Sequence, residues 1–213
     1  MDNNSALFSW GNGQGGRLGH GNETGENMPK EIMFFKESDS ITAKVIIIEA
    51  GESNSAAITS KNELYIWGVG LHGRLGTGKT TNVLKPTQLD DLKNVKVEDI
   101  SLGSNHSLCL LRNGKVLCWG SSKEGKLGLE TTMDRNFTVP KELITLDKDK
   151  IYQMAAGPFH TLALTEKGTI FSFGNSKDGK LGYEESKGNV FIPRPILNAP
   201  TFAGKSSADN DLK

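Results

Sequence analysis

Short apolar runs return along the chain at a nearly constant interval, separated by polar residues and glycine. Three of these runs, VIIIEA, VEDISL and IYQMAA, end just before Gly51, Gly103 and Gly157. A second run follows each glycine, and a third, LYIW, VLCW or IFSF, follows after a few polar residues. Runs this short between turn-forming residues are typical of β-strands, and we expect the run before each glycine to lie near the middle of a sheet.

The residues between the second and third runs predict a tight hairpin turn. Asn62, Gly114 and Gly168 each stand 11 residues after the preceding glycine landmark. Asparagine and glycine tolerate the positive φ that such turns require. We therefore expect the second and third runs to pair as antiparallel strands.

A fourth strand is indicated around residues 86–89, 140–143 and 193–197, where each segment begins with proline. Because proline has no N–H to donate to a β-ladder, this strand suits the outer edge of a sheet. Four short antiparallel strands in about 50 residues are typical of a β-propeller blade.

A second motif combines an aromatic residue, glycine, four variable residues, glycine, a basic residue, leucine and glycine. Its four copies begin at Trp10, Trp67, Trp119 and Phe173. The starts are 57, 52 and 54 residues apart, and the last three lie 16 residues after Gly51, Gly103 and Gly157. Two constant spacings carried by several copies indicate a repeat protein in which these residues hold structural positions.

In two copies the glycine landmark opens a G-x-x-H-[ST] element: GSNHS with His106 and GPFHT with His160. With the aromatic–glycine motif, this element resembles the repeat of the regulator of chromosome condensation family over residues 6–197. The resemblance implies a β-propeller with seven blades. It also implies the functions known among members: nucleotide exchange factors for small GTPases, ubiquitin-ligase modules, ciliary or trafficking scaffolds, and inhibitors.

The chain departs from the family pattern in four ways. Asn54 stands where the two other copies have histidine, and the residue before the motif leucine, often glutamine in the family, is basic in every copy. The chain has too few blades for a ring of seven. It also lacks the long insertion that the exchange factor for Ran uses as a wedge, which counts against nucleotide exchange.

We therefore predict an all-β protein, a partial β-propeller of about three and a half four-stranded antiparallel blades. The repeat array covers residues 1–197, with a half blade at 6–35 and blades at 45–92, 97–146 and 151–197, and a polar, disordered tail follows at 198–213. Four aromatic halves but only three glycine halves leave the ring open, as expected of a fragment or a truncated isoform. Exposed sheet edges at both ends of such an arc invite pairing with another chain.

Composition narrows the classes of function. The 213 residues carry 25 basic and 25 acidic side chains, so the chain lacks the basic excess of a nucleic-acid-binding surface. No apolar run exceeds four residues, which is too short to span a membrane. The N-terminal residues lack the pattern of a secretory signal. We expect a cytoplasmic or nuclear protein.

Two kinds of glycine-rich string imitate nucleotide-binding loops. GRLGTGKT, from Gly73 to Thr80, matches the phosphate loop, in which Lys79 would contact phosphate and Thr80 would hold Mg²⁺. That loop needs a helix beginning at the lysine, but weak helix formers and an early proline follow. The G-x-G-x-x-G strings at Gly11 and Gly68 likewise open no helix. We interpret both kinds as blade turns and predict no cofactor site; an ATPase is the disfavoured alternative.

The histidines form no catalytic or metal-binding set. His106 and His160 have no carboxylate or cysteine at a fixed spacing, so we expect them to tie neighbouring backbone together by hydrogen bonds. Asn54 is expected to do the same. His20 and His72 fall in variable turns, where we expect them to be solvated.

The two cysteines, Cys109 and Cys118, flank the turn at Asn113 and Gly114. If the turn has two residues, the cysteines face each other directly across the hairpin, within reach of a disulfide. Reduced, packed thiols are the expected state in a reducing compartment.

Arg17, Arg74, Lys126 and Lys180 occupy the same place in the four copies. Equivalent positions recur around a propeller, so these residues predict a basic arc. Two interpretations stay open: a binding surface for an acidic partner, or a solvated rim with acidic neighbours such as Glu124.

These observations predict a non-enzymatic protein-interaction or scaffold module without catalytic residues, metal or cofactor. A protein partner would bind the variable loops at the blade ends. The alternative is a guanine-nucleotide exchange factor for a Ran-like small GTPase. Such a factor needs no nucleotide site of its own, because it displaces the Mg²⁺ and switch contacts of the GTPase.

Overall fold

The computed structural model describes residues 6–37, 43–146, 150–183 and 188–197. These ranges contain fourteen strands and one short α-helix, α1 (Phe34–Glu37). The tail predicted at 198–213 lies outside these ranges. The strands form one two-stranded and three four-stranded antiparallel sheets. This confirms the predicted all-β partial propeller of three and a half blades. No helix in the described ranges is long and apolar enough to cross a membrane.

Each sheet is a simple meander in which consecutive strands pair. The half-blade contains β1 (Phe8–Gly11) and β2 (Glu26–Glu31). Blade I contains β3 (Val45–Ala50), β4 (Asn54–Thr59), β5 (Leu64–Gly68) and β6 (Val83–Gln88). Blade II contains β7 (Val97–Leu102), β8 (His106–Leu111), β9 (Val116–Ser121) and β10 (Asn136–Glu142). Blade III contains β11 (Ile151–Ala156), β12 (His160–Thr165), β13 (Ile170–Gly174) and β14 (Val190–Pro195).

The first strand of each blade lies at a sheet edge, so the prediction that it lies near the middle was wrong. These strands are apolar for a different reason: β7 packs against β3 and β4, and β11 packs against β7 and β8. Ile100 of β7 is therefore buried, whereas its counterpart Ile48 of β3 is 63% exposed beside the half-blade, which has no such strand. Packing between sheets, and not position within a sheet, sets the hydrophobicity of this strand.

The hairpin turns lie where the sequence predicts them, and the outer strands contain the predicted prolines but begin three or four residues before them. Asn62, Gly114 and Gly168 have φ values of 63°, 86° and 82°, which is the left-handed region that such turns require. The prolines Pro86, Pro140 and Pro193 lie in β6, β10 and β14, the outermost strands of their sheets.

Two main hydrophobic cores lie between the blades and not within them. One joins blades I and II and includes Leu75, Ile100 and Trp119. The other joins blades II and III and includes Leu127 and Phe173. Because a single sheet of four strands cannot bury its own faces, each blade depends on its neighbours for stability.

The two cysteines do not face each other. Cys109 pairs with Leu117, and Cys118 pairs with Leu108. Leu111 donates its N–H to Lys115 O (2.9 Å), which leaves three residues in the loop instead of two. This shift by one position places the thiols on opposite faces of the sheet, so Cys109 packs in the first core and Cys118 in the second. Both are free and buried, and burial raises the pKa of each thiol.

We expect both thiols to resist modification in the folded protein, because thiolate is the reactive form and burial disfavours it. Titration with a chromogenic disulfide reagent should detect little thiol under native conditions and both thiols in concentrated guanidinium chloride. Rapid reaction of either thiol in the native protein, or an intramolecular disulfide in its intact mass, would contradict this placement.

Candidate functional site

One end of the array carries all the repeated glycine motifs. In a meander, the loop after the first strand and the loop after the third strand emerge at the same end of the sheet. We call this end the loop face. It comprises residues 12–25, 51–53, 69–82, 103–105, 122–135, 157–159 and 175–183.

The aromatic–glycine motif forms the same 3-10 turn in all four copies, at Gln14–Gly16, Leu71–Gly73, Lys123–Gly125 and Lys177–Gly179. The second residue of each turn is left-handed, with φ values of 71°, 63°, 65° and 59°. At the third position a Cβ on Gly125 would lie 2.5 Å from Val190 O in the next blade. The glycines therefore serve positive φ and close packing between blades.

The apparent phosphate loop is such a turn. The chain makes bends and no helix after Lys79. Gly78 donates its N–H to Thr138 O (2.7 Å), so this amide does not point at an anion. Across the described ranges, no three His, Cys, Asp or Glu side chains are grouped as metal ligands would be.

The basic residue of a motif can connect two neighbouring blades through its backbone carbonyl, and we call such a connection a joint. Arg74 O accepts hydrogen bonds from Ser107 Oγ (2.7 Å) and Trp119 Nε1 (2.8 Å) of the next blade. The same arrangement recurs at two further joints: Arg17 O accepts from Ser55 Oγ (2.9 Å) and Trp67 Nε1 (3.0 Å), and Lys126 O accepts from Thr161 Oγ1 (2.8 Å). Phe173, the aromatic residue of the last copy, has no N–H to donate.

His106 extends this joint. Its Nε2 lies 2.9 Å from Thr161 Oγ1, and the same hydroxyl donates to Lys126 O. The hydroxyl oxygen must then accept, so we infer that His106 carries its proton on Nε2. A Cβ on Gly103 would lie 2.6 Å from His106 Nδ1, which explains why glycine precedes the histidine by three residues.

The other two copies of this element are less complete. His160 lies over Gly157 as His106 lies over Gly103, but the blade that it would join is absent from the described residues. Asn54 is buried, and neither of its side-chain atoms has a hydrogen-bond partner in the described part of the chain. The expectation that Asn54 replaces the histidine bond is therefore wrong, because its side chain makes no such bond.

Burial, and then the nearby charges of Lys126 and His160, lower the pKa of His106 to about 3. Burial and Lys180 also lower the pKa of His160. The neutral imidazole of His106 bonds a threonine side chain, whereas the sequence predicts a bond to backbone.

The four basic side chains do not form an evenly exposed rim. Arg74 and Lys126 are only 5% and 2% exposed, so the solvated-rim interpretation is wrong for these two residues. Arg17 and Lys180 are half-buried. The side chains of Arg17, Arg74 and Lys126 reach across the joint to the loop that follows the glycine landmark, at Glu52 O, Asn105 and the Phe159 ring.

Two further histidines differ from their expected state. His20 and His72 are half-buried and not fully solvated, and His20 Nε2 lies 3.1 Å from Ser9 Oγ. Ser9 Oγ donates its own proton to Leu18 O (2.6 Å), so in this contact His20 is the donor and not a base.

The exposed residues of the loop face are those that vary between copies. The first position of the 3-10 turn is exposed in every copy and is occupied by Gln14, Leu71, Lys123 and Lys177. Leu71 is 54% exposed and Phe159 is 47% exposed, which makes them apolar contacts available to a partner.

The half-blade leaves a second open surface. The edge of β1 that faces away from β2 has no strand partner in the described ranges. Beside it lies a groove of about 440 Å³, lined by Phe8, Trp10, Ile48 and Ala50 among others. In blades II and III, the first strand packs against inner strands of the preceding blade, β7 against β3 and β4 and β11 against β7 and β8.

Comparison with known proteins agrees with the repeat geometry. A family model described as the regulator of chromosome condensation (RCC1) repeat matches residues 4–58, 61–110 and 113–164. A second model of the same repeat matches residues 97–126 and 151–180.

Individual proteins resemble the chain over most of its length. The E3 ubiquitin-protein ligase HERC2 of Homo sapiens is 36% identical over 179 residues, which cover 83% of this chain and 4% of HERC2. The X-linked retinitis pigmentosa GTPase regulator of Mus musculus is 34% identical over 171 residues, 80% of this chain and 16% of that protein. The crystal structure of Prp20p from Saccharomyces cerevisiae superposes with a TM-score of 0.73 at 24% identity, over 91% of this chain and 46% of Prp20p. The chain thus spans less than half the length of each.

The depressed pKa of His106 predicts acid sensitivity. The unfolded chain binds a proton near the ordinary pKa of 6.5, whereas the folded chain binds it only near 3, so stability is full above the first value and declines as the pH falls below it. From about pH 7.5 to about pH 5, this residue should remove about 2 kcal/mol from the free energy of unfolding. Denaturant titrations of wild type and His106→Gln at the two pH values should show a smaller decrease in the free energy of unfolding for the variant. Equal losses would exclude His106 as the cause.

The orphaned Asn54 predicts a stabilising substitution. In Asn54→His, the new imidazole would lie over Gly51 and donate to Ser107 Oγ, as His106 donates to Thr161. The free energy of unfolding near pH 8 should rise by about 0.5–1.5 kcal/mol, the usual net value of one hydrogen bond. In a Ser107→Ala background the gain should vanish. A gain that survives the loss of Ser107 would assign the effect to packing.

Proposed function

Because the chain belongs to the regulator of chromosome condensation repeat family, we propose that it is a non-enzymatic protein-interaction module whose loop face binds a protein partner. One observation carries the proposal: the constant residues of each repeat are used in the joints between blades, whereas the exposed residues on the loop face vary. A scaffold with a constant interior and variable loops at one end is suited to recognition.

The exposed residues offer both apolar and charged contacts. Leu71 and Phe159 supply apolar area, and Lys123 and Lys177 supply positive charge. We propose that the basic arc contributes positive charge to partner binding, with Arg17 and Lys180 half-buried and Arg74 and Lys126 more deeply buried. The open edge of β1 is proposed as a site where another chain adds a strand.

We also propose that the chain acts in the cytoplasm or the nucleus. Two free, buried cysteines on opposite faces of one sheet are compatible with a reducing compartment.

A guanine-nucleotide exchange factor is the alternative. The mouse relative is called a GTPase regulator, and the description of the Prp20p structure refers to its binding properties to Gsp1p and histones. Against this alternative, the loops at 69–82 and 122–135 have the same length, so neither carries an insertion relative to the other.

A photo-crosslinking amino acid placed on each face tests the proposal. Introduced at Leu71 or Lys123 in cells, it should capture the same protein from both positions, because both residues are exposed on the loop face. At Lys167, which is exposed in a hairpin turn at the opposite end, it should not. Capture from Lys167 alone would place the binding surface elsewhere.

A nucleotide-exchange assay distinguishes the exchange-factor alternative from the proposed interaction module. Release of a fluorescent GDP analogue from Ran is expected to proceed at the same rate with and without the purified chain. Acceleration by substoichiometric amounts of the chain would reverse the ranking of the two functions.

A further inference from the structure

Three of the four basic side chains at the repeat position have acceptor oxygens. Arg17 donates to two backbone carbonyls. Arg74 donates to a carbonyl and to the side chain of Asn105. Lys180 donates to Asn175 Oδ1 (3.3 Å) and lies 3.6 Å from an aspartate oxygen. Each of these cations is therefore compensated within the fold.

Lys126 is the exception. Its side chain is only 2% exposed, yet its ammonium makes no hydrogen bond or ion pair with any residue in the described ranges. The contact that the ammonium does make is with the ring of Phe159, whose centroid lies 5.8 Å from Nζ. That ring is half-exposed on the loop face.

An ammonium in this position is an unfilled binding group. It has three N–H donors, none with a protein acceptor in the described ranges, and even partial removal of an ammonium from water is costly to the fold unless an acceptor replaces the water. Burial lowers the pKa of Lys126, as that cost requires. A cation–π contact offsets part of the cost but accepts no hydrogen bond. An acceptor from outside the chain would complete the site.

We infer that Lys126 and Phe159 form the anchor point of the loop face. Lys126 binds the carboxylate of an aspartate or glutamate of the partner, and Phe159 packs against an apolar residue beside that acid. The inference rests on the proposed function and adds the chemistry of the partner, which is an acidic segment with an adjacent apolar side chain.

Charges around the anchor point set how selective it is. Glu124 and Asp134 act on Lys126 with negative charge, and Lys123 acts with positive charge. Glu124 Oε2 is also buried without a hydrogen-bond partner in the described part of the chain. A ligand carboxylate therefore meets some repulsion from Glu124, and Glu124→Gln should strengthen binding.

A random peptide library displayed on phage, selected against the intact chain, provides the probe. Recovered peptides should share an acidic residue next to an apolar one. For a synthetic peptide of that consensus, Lys126→Gln should weaken binding by about 10- to 100-fold, because one partner of a buried charge pair is lost. The matched control Lys167→Gln removes an exposed charge at the opposite end of blade III and should change affinity less than about twofold.

Two further measurements keep the result independent of folding defects. Lys126→Arg retains the charge and should bind more tightly than Lys126→Gln. Replacing the acidic residue of the peptide by its amide should weaken binding to wild type by the same factor as Lys126→Gln does. The same replacement should not weaken binding to the Lys126→Gln variant any further. A consensus without an acid, or equal effects of Lys126→Gln and Lys167→Gln, would overturn the inference.

The outcomes also separate this inference from the proposed function. Some peptides could be captured by the crosslinker at position 71 and still bind the Lys126→Gln variant with unchanged affinity. That result would keep the loop face as the binding surface but exclude Lys126 from it. Recovery of no peptide that crosslinks to the loop face would count against both.

Discussion

The hydrogen bonds that cross from one blade to the next are the interactions on which the rest of the structure depends. A sheet of four short strands buries neither of its faces alone, so a blade is stable only beside another. The carbonyl of Arg74 accepts from Ser107 and Trp119 of the following blade. This constrains the distance and the rotation between two sheets, and apolar residues of both blades then pack in the core between them. The same geometry keeps the loops at one end of every blade in register.

The joints are not identical, and their differences show what a joint requires. A complete joint would have three bonds, from a hydroxyl, an indole and an imidazole. The joint between blades I and II has the hydroxyl and the indole, while Asn54 makes no bond there. The joint between blades II and III has the hydroxyl and the imidazole, while Phe173 cannot donate. These two joints lack different bonds and each has two, which indicates that two suffice when an apolar core surrounds them.

Sequence reasoning captured what depends on local chain geometry and missed what depends on contacts between distant residues. The hairpin turns at Asn62, Gly114 and Gly168 follow from positive φ, and the outer strands follow from proline, so both could be predicted. The register of Cys109 and Cys118 depends on whether a loop has two or three residues, which composition does not decide. The burial of Arg74 and Lys126 depends on loops about 30 residues further along the chain. A carbonyl acceptor leaves no trace in the residue type, so no sequence signal could reveal its role.

The separation of joint residues from exposed residues explains how one fold can serve different partners. One structural position, exposed in every copy, is occupied by Gln14, Leu71, Lys123 and Lys177, so it varies between amide, aliphatic and cationic side chains. Lys126 belongs to both sets of residues. Its carbonyl belongs to the joint and its ammonium lies beneath the loop face, so a ligand bound there also contacts the connection between blades II and III. Binding at this position would stabilise the joint as well as the complex, since a ligand held by the folded state alone shifts the folding equilibrium towards it.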